Sequence, residues 1–123
     1  MSRIESGKTE LVYEPFNLLH YLYDTGKSLT YQMEQNEISL AGSYVDIIHE
    51  NVIGSKLHLQ RIILNILSNS IKYNHPGGSI TCWLKEYPQD ETHSVYEFKI
   101  QDTGIGMFAA LAELMLFMCR LLP

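Results

Sequence analysis

The sequence predicts an α+β fold in which helices cover one face of a sheet. Residues 79–87 and 95–101 alternate apolar and polar side chains, which predicts two strands joined as a hairpin. Residues 55–73 predict a long helix, because Ser55 is a good N-cap and the Asn-His-Pro-Gly-Gly run at 74–78 is a strong stop signal. A hairpin beside such a helix favours a sheet covered on one face over a doubly wound parallel sheet.

Length and charge narrow the functional classes. The 123 residues suit one domain, and the 46% hydrophobic fraction is typical of a packed core. Nine Lys and Arg against fourteen Asp and Glu give a net charge of −5, which argues against a nucleic-acid partner because binding to a phosphate backbone needs a basic surface. No apolar run reaches the ~20 residues of a membrane span, so no membrane segment is expected in this chain.

The remaining elements are assigned from local signals. Pro15 restricts its segment to an edge or the end of a strand, and Asn17 is a candidate helix N-cap. The two cysteines, Cys82 and Cys119, predict free thiols rather than a zinc site or a disulfide framework. The elements expected in chain order are a linker over 1–10, a β-like run over 11–18, a helix over 17–27, a connection over 30–36, strands over 37–45 and around Val52, and a helix over 108–122.

The predicted long helix carries an unusual polar stripe. On a period of 3.6 residues, one side of the helix carries Arg61, Asn65, Asn69, Lys72 and Tyr73, whereas apolar residues fill much of the remaining circumference. We therefore expect a largely buried helix with one narrow polar seam. The seam is either a solvated face with ordinary amide hydrogen bonds or the lining of a ligand pocket. An amide oxygen suits Mg²⁺, and a lysine one turn away suits a phosphate.

A glycine loop follows the second predicted strand. In Asp-Thr-Gly-Ile-Gly, Gly104 and Gly106 allow close approach of the backbone to a flat ligand. Asp102 can accept a hydrogen bond from an exocyclic amino group. One alternative is that the loop is an ordinary turn that ends a strand. The loop fits a dinucleotide fingerprint only loosely, because that motif needs an acidic residue about 20 positions later, which the given sequence does not contain.

Taken together, these motifs resemble a known family. The segment Gln60–Asn74, followed by Gly77-Gly78-Ser79-Ile80 and then by Asp102–Met107, resembles the ATP-binding catalytic domain of sensor histidine kinases, whose fold is shared with gyrase, Hsp90 and MutL. The helix is similar to the family's N box and the loop to its first glycine box. The resemblance implies a two-layer α/β sandwich with a mixed sheet, an incomplete version of the Bergerat-type fold.

The resemblance also implies ligands and site residues. ATP and Mg²⁺ are the implied cofactors, with Asn69 as the metal ligand and Asn65 and Lys72 beside the phosphates. Tyr73, Gly104 and Gly106 would shape the nucleotide pocket, and Asp102 would accept a hydrogen bond from the adenine amino group. No residue of the chain is assigned a catalytic role. The implied partners are a dimerisation domain bearing the phosphoacceptor histidine and a response regulator, and the implied location is the cytoplasm, whether or not a parent kinase is membrane-anchored.

One position distinguishes two reactions of this fold. Hydrolytic relatives have a glutamate one turn before the metal asparagine, where it can deprotonate water, but this chain has Asn65. The resemblance therefore implies phosphoryl transfer to a histidine rather than ATP hydrolysis. None of the five histidines of the chain lies in the sequence context of a phosphoacceptor. We therefore expect these histidines at surface or loop positions.

The resemblance in motifs ends after Met107. We expect a partial ATP-binding domain over 11–107 and an aberrant apolar C-terminal helix over 108–123, with no second glycine box and no ATP lid. The alternative function is accordingly an inactive fragment or a non-catalytic docking module.

Overall fold

The computed structural model describes residues 12–102 and 110–121 of the chain. Within these residues, six strands form one mixed sheet in the order β1-β3-β6-β5-β4-β2. Only the β2–β4 pair is parallel among the described strands. The elements in chain order are β1 (Glu14–Asn17), α1 (Leu18–Lys27), α2 (Thr30–Gln35), β2 (Ser39–Val45), β3 (Asn51–Gly54), α3 (Lys56–Lys72), β4 (Ser79–Pro88), β5 (His93–Asp102) and β6 (Ala110–Arg120).

The helices pack on one face of the sheet. Alternate residues of β4 and β5 are buried, and they form a single core with α1 and α3. Residues on the other face of these two strands are half-buried or exposed. The α+β prediction, with a mixed sheet covered on one face by helices, is therefore confirmed. Buried members of this core include Leu18, Leu22, Leu59, Ile63, Leu67, Ile71, Ile80, Leu84, Tyr96, Phe98 and Ile100.

The hairpin and two of the helices agree with the sequence signals. β4 and β5 pair antiparallel over nine residue pairs, from Ile80–Asp102 to Pro88–Ser94. Asn17 caps α1, because its side-chain oxygen accepts a hydrogen bond of 2.9 Å from the backbone N–H of His20. Ser55 occupies the N-cap position of α3, although its side chain makes no capping hydrogen bond among the described residues.

Two expectations from the sequence are wrong. Residues 30–36 are not a simple connection, since Thr30–Gln35 forms the short helix α2, anchored by buried Leu29 and half-buried Met33. The helix expected over 108–122 is instead strand β6 through residues 110–120. A continuous apolar run lacks a decisive period, and here the open edges of β5 and β3 provide backbone partners for a strand. The expected linker over 1–10 lies outside the described residues.

The packing of α3 dominates the core and can be tested by truncating one side chain. Leu67 is 4% exposed and lies in the centre of the buried stripe of α3. Leu67→Ala should lower the free energy of unfolding by about 2–5 kcal/mol, because it removes buried methyl groups and leaves a cavity. Leu57→Ala on the same helix is the control, since Leu57 is 50% exposed and should change stability by less than about 0.5 kcal/mol. Urea denaturation monitored by circular dichroism measures both variants, and equal losses would contradict the packing described here.

Candidate functional site

The polar seam of α3 lies on the surface of the molecule. Arg61, Asn65, Asn69, Lys72 and Tyr73 are all exposed, whereas Leu59, Ile63, Leu67 and Ile71 are buried on the other side of the helix. The sequence predicted the composition of the seam correctly. However, the sequence analysis overestimated the burial of the helix. One stripe of residues, spaced four apart along the chain, is buried, whereas the residues on either side of this stripe are only half-buried.

The side-chain amides of the seam are available for binding. Within the described part of the chain, the carboxamides of Asn65 and Asn69 make no hydrogen bond to another protein group. The backbone carbonyls of these two residues accept hydrogen bonds from the Ser68 hydroxyl and the Tyr73 N–H, respectively. Lys72 places its ammonium group 5.1 Å from the centroid of the Tyr73 ring, which is within the range of a cation–π contact. The seam thus presents two amides without a protein hydrogen bond in the described residues and two cationic side chains, Arg61 and Lys72, at the surface of a chain with a net charge of −5.

The end of α3 and the end of β5 meet at the start of β4. Asn74 follows α3 and donates a hydrogen bond of 3.3 Å from Nδ2 to the carbonyl of Ser79. The next residue of β4, Ile80, pairs with Asp102 at the end of β5. The fold therefore brings the C-terminal part of the seam and Asp102, which is 8% exposed, to the same end of the sheet. Gly104 and Gly106 lie outside the described residues.

A divalent cation at this end of the sheet would depend on amide ligands. In residues 12–102 and 110–121, no group of three or more His, Cys, Asp or Glu side chains could hold a metal ion. The neutral amide oxygen of Asn69 is a hard ligand, and Mg²⁺ accepts one or two protein oxygens when phosphate and water complete its shell. The residues present therefore fit a magnesium ion that arrives with a phosphate compound.

Comparison with known proteins identifies the fold family. Residues 54–120 match the family described as "Histidine kinase-, DNA gyrase B-, and HSP90-like ATPase". The chain belongs to this family. The match includes α3, the hairpin and β6.

Relatives and solved structures agree with the assignment. Hybrid signal transduction histidine kinase L of Dictyostelium discoideum is 37% identical over 111 residues, which is 87% of this chain and 6% of the relative. BarA, a signal transduction histidine-protein kinase of Escherichia coli K12, is 32% identical over 86% of this chain and 11% of its own length. The nucleotide-free catalytic domain of histidine kinase ThkA superposes with a TM-score of 0.60 and 14% identity, covering 76% of this chain and 60% of that one.

These comparisons support an ATPase-like domain of sensor histidine kinases. The chain spans a small part of the curated relatives it matches, 6% and 11% of their lengths in the two cases above. Among the described residues, no helix has the length and apolar character needed to cross a bilayer.

A second polar cluster, at the opposite end of β4, was missed by the sequence analysis. The Glu86 carboxylate is 3% exposed and accepts hydrogen bonds from the backbone N–H groups of Ile48 and His49, both at 2.8 Å. The Ser94 hydroxyl and His49 Nδ1 each lie 2.7 Å from its other oxygen. Arg120 Nη1 approaches His49 Nε2 at 3.2 Å, so a neutral His49 that donates to Glu86 can accept from Arg120.

The Glu86 cluster holds the segment between β2 and β3 against the sheet. Burial by itself would raise the pKa of Glu86, but hydrogen bonds from Ser94, His49 and Ile48 outweigh it and lower the pKa below the ordinary 4.5. His49 lies in the loop between β2 and β3, which agrees with the expected surface or loop position, but its buried partner Glu86 was not expected. A lone glutamate in an alternating strand carries no sequence signal for such a role, because its partners are distant in the chain.

Glu86→Gln tests this cluster through the pH dependence of stability. At pH 7 the variant should be less stable by about 1–3 kcal/mol, because hydrogen bonds to a buried charge are lost or weakened. The folded pKa of Glu86 is depressed, so its stabilisation is present above pH 4.5 and is lost as the pH falls through the folded pKa. The difference in stability between the wild type and the variant should therefore become smaller as the pH falls.

Thermal unfolding between pH 3 and pH 7 measures this difference in stability between the wild type and Glu86→Gln. Glu91→Gln is the control, because Glu91 is exposed and should change stability by less than about 0.5 kcal/mol. If the stability difference between the wild type and Glu86→Gln stays constant across this pH range, the charge of Glu86 does not stabilise the fold.

Proposed function

We propose that this chain is the ATP-binding part of a two-component sensor histidine kinase. It would bind Mg-ATP and present the γ-phosphoryl group to a histidine on a separate domain. The single observation that carries the proposal is the exposed seam of α3, in which the carboxamides of Asn65 and Asn69 make no hydrogen bond within the described part of the chain. Two unpaired amides beside a lysine suit a metal–phosphate group better than they suit a purely structural face.

Each residue of the site has a proposed role. Asn69 would hold Mg²⁺, while Asn65 and Lys72 lie along the phosphates. Tyr73, which is 55% exposed, would contact the nucleotide with its ring. Asp102 would accept a hydrogen bond from the adenine amino group, and its position beside the start of β4 supports this role. Gly104 and Gly106 would form the wall around the base.

The chemistry of the seam favours transfer over hydrolysis. The side chain of Asn65 is a neutral amide, and it cannot take a proton from water at the position where hydrolytic relatives have a glutamate. Transfer of a phosphoryl group depends mainly on positioning and charge neutralisation. When bound, Mg²⁺ would supply part of that neutralisation, and Lys72 would supply a further positive charge. The acceptor histidine contributes its own nucleophilic ring nitrogen, so the chain needs no general base.

The comparisons support the partners of this reaction. One solved structure similar in fold is histidine kinase ThkA in complex with the response regulator protein TrrA. Another is full-length ShkA in complex with AMPPNP, with a TM-score of 0.60 and 19% identity. By analogy, a dimerisation domain that bears the phosphoacceptor histidine and a response regulator are the proposed partners here. The proposed location is the cytoplasm, where ATP is available, and any membrane anchor would belong to other parts of a parent kinase.

Binding of Mg-ATP is the direct test of this proposal. Isothermal titration calorimetry of the whole chain should show magnesium-dependent binding of ATP, and Asn69→Ala should weaken it by about tenfold or more, which is about 1.4 kcal/mol. Asn51→Ala is the matched control, since Asn51 is an exposed asparagine on β3 and should leave the affinity unchanged. Absence of binding heat for the wild-type chain would contradict the proposal and favour the inactive or docking alternative.

The identity of residue 65 gives a separate test of the reaction. The wild-type chain should show no ATP hydrolysis above background. Asn65→Glu places a carboxylate that can act as a base, and hydrolysis should rise, because a positioned base contributes roughly 10²–10⁴-fold. Asn65→Gln is the control, since it matches the size of glutamate without its basicity. Steady-state phosphate release measures all three proteins, and turnover by the wild type would contradict the assignment to phosphoryl transfer.

A further inference from the structure

A cavity lies on the side of α3 opposite the asparagine seam. It occupies about 630 Å³ between α1, α2 and α3 on one side and β2, β4 and β5 on the other. Ile63 and Leu67 of α3 form part of its wall. This volume lies within the range of small-molecule sites, which is about 300–1,000 Å³.

Gly42, an exposed residue of the edge strand β2, lines the cavity without a side chain. Gly42 pairs in register with Cys82 of β4, and neighbouring residues in register share a face of the sheet. Cys82 belongs to the buried core, so Gly42 faces the helices too. A Cβ atom built on Gly42 would meet no heavy atom within 4 Å. The space that a larger residue would fill at this position is therefore open.

The lining of the cavity is mostly apolar. Leu22, Met33, Leu40 and Phe98 contribute to the wall, in addition to the two residues of α3. Such a surface favours a ligand that buries hydrocarbon or aromatic groups, because removal of apolar area from water is the main source of affinity.

The charges around the cavity offset one another. Lys27 and Glu34 are the charged side chains among the described lining residues, and both are exposed. In the interior, burial raises the pKa of the Cys82 thiol to about 11, so this group is neutral at physiological pH. A formally charged ligand would gain little from this balance and would lose its hydration.

We propose that this cavity binds an uncharged, largely apolar small molecule. The site is separate from the proposed nucleotide site, since it uses the buried face of α3 rather than the exposed asparagines. An occupant would touch Ile63 and Leu67, which lie within two residues of Asn65 and Asn69 on the same helix.

The test uses N-phenyl-1-naphthylamine, an uncharged dye that fluoresces in apolar surroundings. The whole chain, without nucleotide, should bind it saturably with one site per chain. Gly42→Phe should weaken binding by at least about tenfold, because the new ring fills the cavity. Ser39→Phe is the matched control, since Ser39 lies on the same strand, is exposed and faces the opposite side of the sheet. Its affinity should stay within about twofold of the wild type.

Several outcomes would overturn the proposal. The wild-type chain could bind no dye, or Gly42→Phe could keep the wild-type affinity for the dye. Ser39→Phe could also lose as much affinity for the dye as Gly42→Phe is expected to lose. Circular dichroism confirms the fold of each variant, and if Gly42→Phe does not fold, Met33→Trp fills the cavity from α2 and should weaken binding in the same way.

The charge of the ligand is tested by competition. 1-Decanol should displace the dye at a lower concentration than decanoate, which differs mainly in its negative head group. Equal or better displacement by decanoate would overturn the assignment of an uncharged ligand. Because the titration contains no ATP, its failure would leave the nucleotide proposal intact, and absence of ATP binding would leave this one intact.

Discussion

The packing of one helix against the sheet is the constraint on which the rest of the structure depends. Leu59, Ile63, Leu67 and Ile71 recur every four residues, and their burial fixes the rotation of α3 about its own axis. Asparagine and serine are mediocre helix formers, but packing rather than intrinsic propensity stabilises most helices in proteins. The helix can therefore carry Asn65 and Asn69 on its opposite face, where they remain exposed to solvent.

This rotation gives α3 two different surfaces that serve two proposed sites. The outer surface presents amides and Lys72 in a chain with a net charge of −5. An acidic domain attracts a triphosphate only through such local groups, since its overall field is unfavourable. The inner surface is apolar and borders the cavity at Gly42. This open volume beside the core is the one that we propose to hold an apolar ligand.

The two ends of the hairpin use carboxylates differently. Glu86 is surrounded by donors from the segment before β3 and from Ser94, and these hydrogen bonds keep it charged while buried. It therefore stabilises the fold and joins segments that are far apart in the chain. Asp102 lies at the other end of the hairpin, beside the start of β4. The same residue class thus has a structural role at one end and a proposed binding role at the other.

The sequence by itself determined the elements whose signals are local. The alternation in β4 and β5, the capping residue Asn17 and the stop after α3 all act within a few residues, and they predicted these elements correctly. The seam residues of α3 were also read from periodicity alone, because a helix places them on one face wherever it packs.

Tertiary structure decided what depends on distant partners. Residues 110–120 form a strand rather than the expected helix, because the edges of β5 and β3 offer backbone hydrogen bonds that no local pattern reveals. The Glu86–His49–Arg120 cluster and the cavity at Gly42 likewise arise from contacts between segments far apart in the chain, and so does the exposed setting of the seam. Local sequence specifies which residues share a face, whereas only the folded chain determines what that face meets.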